Sequence, residues 1–101
     1  MDALNRIKQL VWRRQIILTA KAEMELWTDN LTIDQVGESI MNARRIDKTL
    51  NSKSPTSGAR EKLYVIRGST FAGTQIYSKG KIIHDADKEY FYVLISSKRS
   101  L

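Results

Sequence analysis

Residues 61–99 read EKLYVIRGSTFAGTQIYSKGKIIHDADKEYFYVLISSKR, three runs rich in β-branched and aromatic residues separated by turn signals. The first run is Lys62–Arg67. Gly68 and Gly73 flank the connection to the second, Thr74 to about His84, and Asp85-Ala86-Asp87-Lys88 turns the chain into the third, Glu89–Ser96. A pleated, half-buried surface selects this composition, so the stretch predicts an antiparallel sheet built of hairpins. Alternation puts Phe91, Val93 and Ile95 on one side of the last run, and Tyr90, Tyr92, Ser96 and Lys98 on the other. In the middle run Ile76 and Ile82 share one parity, and Tyr77, Lys79 and Lys81 the opposite one. The expectation is that Phe91, Val93 and Ile95 lie buried under helices, leaving a face of tyrosines and lysines open.

The first part of the chain supplies the cover. Leu4, Ile7, Leu10 and Val11 form a helical stripe within Asp2–Arg14, with Asp2 as N-cap. Gln15–Leu18 reads as a link. Thr19 opens a second helix in which Ala20, Met24 and Trp27 recur at helical spacing. Thr32-Ile33-Asp34-Gln35 has the form of a capping box and starts a third, with Ile33, Val36, Ile40 and Met41 inward. Alternation of Ile46, Lys48 and Leu50 suggests one more strand over Arg45–Asn51. Ser52–Arg60, which holds the only proline, reads as a surface loop. The predicted fold is a single α+β domain over 1–101, a two-layer sandwich with helices (1–44) on one face of an antiparallel sheet (45–101).

Charge adds a second constraint. The chain carries +6 overall, and residues 51–101 hold nine Lys/Arg against four Asp/Glu, so the basicity sits on the sheet half. That favours a polyanionic partner. With no cysteine, thiolate metal sites and cysteine nucleophiles are excluded. One histidine and no carboxylate cluster point to no metal and no cofactor. No membrane span or leader is readable, so a cytoplasmic location is expected. His84 reads as a turn residue, and Trp12 and Trp27 as core anchors. Lys53, Tyr77, Lys79, Lys81, Tyr92, Lys98 and Arg99 form the polar set, although Arg99 falls on the other parity unless the strand has ended. Cations beside tyrosines suit RNA, because cations meet phosphates while rings stack on unpaired bases. A solvated sheet face whose lysines prevent edge pairing accounts for the same residues equally well.

Three short motifs and the order of elements resemble the MqsR-type messenger-RNA interferases, relatives of the RelE-like toxins of bacterial toxin–antitoxin pairs. Lys53-Ser54-Pro55-Thr56 is similar to a K-S-x-T signature, Gln75–Lys79 to a Q-V-Y-x-K strand, and Val93–Lys98 to a terminal I-V-S-F-K strand. The resemblance implies metal-independent cleavage of mRNA, free or on the ribosome, and an antitoxin protein as partner. It implies Lys53, Tyr77 and Lys98 as catalytic residues: Lys53 as base, Tyr77 as acid, and Lys98 to offset charge on the phosphorane. Where the family has W-Q-D-V-Y, this chain has Lys62-Leu63-Tyr64-Val65-Ile66, so Tyr64 or Arg67 would stand in for the glutamine. Two alternatives use the same face: a non-catalytic RNA- or ribosome-binding module, and an interaction domain for an acidic protein.

Overall fold

Each helix starts where a short polar side chain takes up an orphan N–H. Asp2 accepts from the Asn5 N–H at 2.8 Å and opens α1 (Ala3–Trp12), and Thr19 accepts from the Ala22 N–H at 3.2 Å and opens α2 (Ala20–Thr28). Thr32 and Gln35 close a reciprocal capping box on α3 (Ile33–Asn42), with bonds of 3.1 and 2.9 Å. α1 and α2 end alike. Arg14 (φ 60°) and Asn30 (φ 55°) take the left-handed conformation after the C-cap. Gln15 N–H then reaches back to Leu10 O at 2.8 Å, and Leu31 N–H to Leu26 O at 2.9 Å. The computed structural model describes residues 2–53, 58, 60–85 and 88–100, with the backbone alone at 85 and 88–90.

The strands are β1 (Ile16–Leu18), β2 (Lys48–Lys53), β3 (Arg60–Ser69), β4 (Gln75–Asp85) and β5 (Lys88–Arg99), in the order β1-β5-β4-β3-β2. β2 to β5 pair antiparallel as expected, but β1 runs parallel to β5, with Ile16 opposite Tyr92 and Leu18 opposite Leu94. The sheet is therefore mixed. The segment expected to be a link is an edge strand, too short to announce itself and paired far along the chain.

One core joins the helices to one face of the sheet. Ile7 and Leu10 of α1, Ala22 and Leu26 of α2, and Val36 and Ile40 of α3 meet Ile66, Ile76, Tyr92 and Leu94. Up to Leu94 the expected faces of β5 are thus exchanged, while Ser96 and Lys98 beyond it face outward as expected. Tyr92 is fully buried beneath the helices, whereas Phe91 and Val93 pair across to Ile83 and Lys81 on the other side. Register explains the exchange. Ile76 and Ile82 do face inward, and Ile82 pairs with Tyr92; a bulge at Ile95 then flips parity, so that Ser78 pairs with Ser97. Val93 is buried all the same, between Ile17 and Lys81 on the open side. Two close approaches tighten the packing, one within the sheet and one between sheet and helix. A Cβ at Gly80 would come within 2.7 Å of the Tyr92 ring, and one at Gly68 within 2.0 Å of Ser39 O on α3.

α2 is rotated from its expected setting. Met24 and Trp27 are 61% and 69% exposed, and Trp12 of α1 78%, so none of the three is a core anchor. Ala22 and Leu26 face the core instead, and the adjacent Glu25 and Asp29 lie along β5 where β1 has ended. Glu25 Oε1 accepts from Ser97 N–H (3.2 Å) and the Ser96 hydroxyl (2.8 Å), and Asp29 Oδ2 accepts from Arg99 N–H (2.8 Å). Two carboxylates thereby take the place of a missing strand.

Candidate nucleic-acid interface

The uncovered face is built by period-two alternation within strands and by register between them. Odd-numbered residues of β3 and β4 point outward. Tyr77 pairs with Arg67 on one side and Lys98 on the other, so three strands contribute one row, Lys98–Tyr77–Arg67. The Lys98 ammonium lies 5.4 Å and the Arg67 guanidinium 5.5 Å from the centroid of the Tyr77 ring. Cations at that distance are held by the ring's negative face. The next row is Ser96–Lys79–Val65–Lys48. Lys81, in the row beyond, is bonded to Glu61 at 3.0 Å, which neutralises it locally. Arg67, itself half-exposed, has a looser carboxylate neighbour in Asp47 at 3.4 Å.

Of the residues singled out in the sequence, Arg67, Tyr77, Lys79, Lys81 and Lys98 share this face. The others do not join them. Tyr64 turns toward the helices and packs against the core. Tyr92 is inside it, and its hydroxyl has no hydrogen-bond partner among the described residues. Burial, and secondarily Tyr64, pushes its pKa far above the ordinary tyrosine value, so it serves neither as acid nor as RNA contact. Arg99 lies on the helix side, its Nε donating to Asp29 O at 3.0 Å. Lys53 pairs with Arg60 at the far end of the β2 edge. Arg60 precedes Arg67 by seven residues of β3, roughly 23 Å of strand, so Lys53 does not converge with Tyr77 and Lys98. Ser54, Pro55 and Thr56, the rest of that motif, lie outside the described residues. His84 is exposed near the end of β4 remote from Tyr77.

Sequence reasoning missed what lies beyond Arg67. Arg44 and Arg45, in the connection between α3 and β2, line an open cleft of about 620 Å³ with Arg67, Phe71 and Gln75. The arginine doublet was visible as charge, but its distance from the strands in sequence hid its place beside them. Among the described residues no group of His, Asp and Glu is arranged to hold a metal ion, and no helix is long and apolar enough to cross a membrane. Compared with protein-family models, with curated proteins and with solved structures, the chain finds no match.

Proposed function

We propose that this chain binds single-stranded RNA across the open face of its sheet, gripping the sugar–phosphate chain at the Lys98–Tyr77–Arg67 row. The observation that carries this reading is a single phenol ring holding a cation from each of two neighbouring strands. The ring fixes both charged heads in advance, which lowers the ordering cost of meeting a phosphate. Contacts of this kind supply affinity with little base preference. Titrations of a short labelled single strand should show micromolar or tighter binding at low salt. Lys98→Ala, Arg67→Ala and Tyr77→Ala should each weaken it, while Lys53→Ala costs little. RNA that does not bind, or binds equally well after all three changes, overturns the reading.

One observation favours a second reading, a metal-independent endoribonuclease toxin of the MqsR/RelE kind: Tyr77 and Lys98, both implied as catalytic by the resemblance, are direct cross-strand neighbours. In that chemistry the 2′-oxygen attacks phosphorus, the bond to the 5′-oxygen breaks, and a 2′,3′-cyclic phosphate remains. On this reading Tyr77 would protonate the leaving oxygen, and Lys98 and Arg67 would offset charge on the phosphorane. The base is the missing part, because Lys53 is remote; binding is therefore the conclusion and cutting the second reading. Purified protein incubated with RNA in EDTA decides between them. Cyclic phosphate ends that disappear with Lys98→Ala establish the enzyme, and intact RNA leaves the binding module.

A further inference from the structure

The Lys98–Tyr77–Arg67 row accounts for phosphates but offers no free ring. Tyr77 is occupied by its two cations, and Tyr64 and Tyr92 face the helices. Phe71, 84% exposed at the tip of the β3–β4 hairpin, lines one cleft with Arg67. A large apolar ring so exposed is ordinarily on a loose loop, yet this turn is tied on every side. Thr70 N–H donates to Thr74 O at 2.9 Å, Gly73 N–H to Thr70 O at 3.0 Å, and Thr74 N–H to the Thr70 hydroxyl at 3.0 Å. The Phe71 N–H itself donates to Glu38 Oε1 on α3 at 2.6 Å. Below it, Asn42 Nδ2 and Gln75 Nε2 donate to Ser69 O and Ser69 Oγ at 2.9 and 2.5 Å. The backbone that carries the ring is thus held in place.

The surroundings are strongly positive. Arg44, Arg45 and Arg67 line the same cleft as Phe71, and no carboxylate does. The neighbouring acids have partners: Glu38 in the Phe71 N–H, Asp47 in Arg67, and Asp2, which lines a second cleft with Arg44 and Arg45, in Asn5. Arg44 and Arg45 have no ion-pair partner among the described residues. Lys8 adds a further cation behind them, its ammonium 2.6 Å from Ala43 O. A cleft of this size lies within the roughly 300–1,000 Å³ that small ligands fill. An exposed ring on a well-held turn beside cations, with Arg67 shared with the sheet row, matches what a nucleotide needs: a flat apolar surface for the base and positive charge for its phosphates.

We infer that this cleft is a nucleotide subsite, in which Phe71 stacks on one unpaired base while Arg44 and Arg45 hold the phosphates flanking it. It continues the strand path that leaves the sheet at Arg67. The inference rests on the RNA-binding reading and extends it, because it adds a base contact to a face that otherwise touches only the backbone. It also sets a direction. The strand crosses β5, β4 and β3 in turn, with Lys79 flanking the crossing, and then drops beside α3, rather than continuing along β4 to Lys81.

The test uses the full chain and short single-stranded RNAs labelled for anisotropy, intact or carrying one abasic position. Phe71→Ala should lower affinity for the intact strand about tenfold to a hundredfold, the loss expected for one stacked base. Moving the abasic position along the strand should locate one place where the loss is the same, and there Phe71→Ala should have no further effect. Arg44→Ala with Arg45→Ala should weaken intact and abasic strands alike. In parallel, RNA carrying 5-iodouridine should photocrosslink to the hairpin peptide containing Phe71. If RNA binds and Lys98→Ala weakens it, but Phe71→Ala and the abasic strands change nothing, the subsite is wrong and the sheet reading stands. If RNA does not bind at all, both fall together.

Discussion

Tyr92 concentrates the difference between pattern and packing. As sequence it is one of a row of tyrosines on a polar face; in the fold its ring fills the space above Gly80 and its hydroxyl is buried with no partner among the described residues. A buried hydroxyl that makes no hydrogen bond costs about 1–3 kcal/mol of desolvation, while the ring contributes apolar burial. Tyr92→Phe should therefore keep or raise stability, and Tyr92→Ala should lower it by about 3–5 kcal/mol. Urea melts of the two variants check the pair. The phenol also predicts an alkaline limit. Because its folded pKa is raised, the protonated form is favoured in the folded state. That contribution is whole below the unfolded tyrosine value, near 10, and is lost as pH rises above it. Melts across that range should show the wild type losing stability more steeply than Tyr92→Phe.

Among the elements, α2 does the least expected thing. Its inward stripe is Ala22, Glu25, Leu26 and Asp29, spaced as any amphipathic helix spaces its apolar residues, but half of it is carboxylate because half of it meets a strand edge. Glu25→Ala should cost about 1–3 kcal/mol by stranding the Ser97 N–H and the Ser96 hydroxyl, and Glu25→Gln, which keeps an acceptor, should cost less. Hydrogen exchange at the Ser97 amide should accelerate in the first and much less in the second. Much of the secondary structure was legible, for a local reason. Asp2, Thr19 and the Thr32–Gln35 box act within one helical turn, and β-branched runs mark β3 to β5 directly. β1 was not legible, since three residues make no pattern and their partner is remote. Nor was the setting of β5, because the bulge at Ile95 reverses a parity that reads as continuous.

At the scale of the whole molecule, the candidate site was readable in part as a set of residues, Lys98 of the neighbouring strand included, but not as an arrangement. Tyr77, Lys79 and Lys81 follow from alternation in β4, but which residues stand beside them depends on register, and that brings in Arg67 and Lys98 while placing Lys53 roughly 23 Å away. The cleft beside Phe71 joins two connections and has no sequence pattern at all. The resulting cationic path runs through Lys79, Lys98, Arg67, Arg44 and Arg45, omitting Lys81 because Glu61 already neutralises it. Five phosphates on a single strand give a slope of log affinity against log salt of about −3.5, at roughly −0.7 each. Lys79→Ala with Lys98→Ala should flatten it by about 1.4 and leave the melting temperature nearly unchanged. A slope near zero would remove the electrostatic basis of the reading. The parallel pairing of β1 with β5 carries a consequence of another kind, for the order in which the chain assembles. Thr19, at the end of β1, bonds to Leu94 and Ile95, the latter 76 residues further on. As the chain is synthesised, α1, α2 and α3 are complete long before the strand that closes their core. Ile7, Leu10, Val36 and Ile40 then wait for β5 with their apolar surfaces open. Pairings that distant slow folding, and surfaces left open meanwhile invite chaperones or aggregation, so translation speed through β3 to β5 should govern how much of this protein reaches its native state.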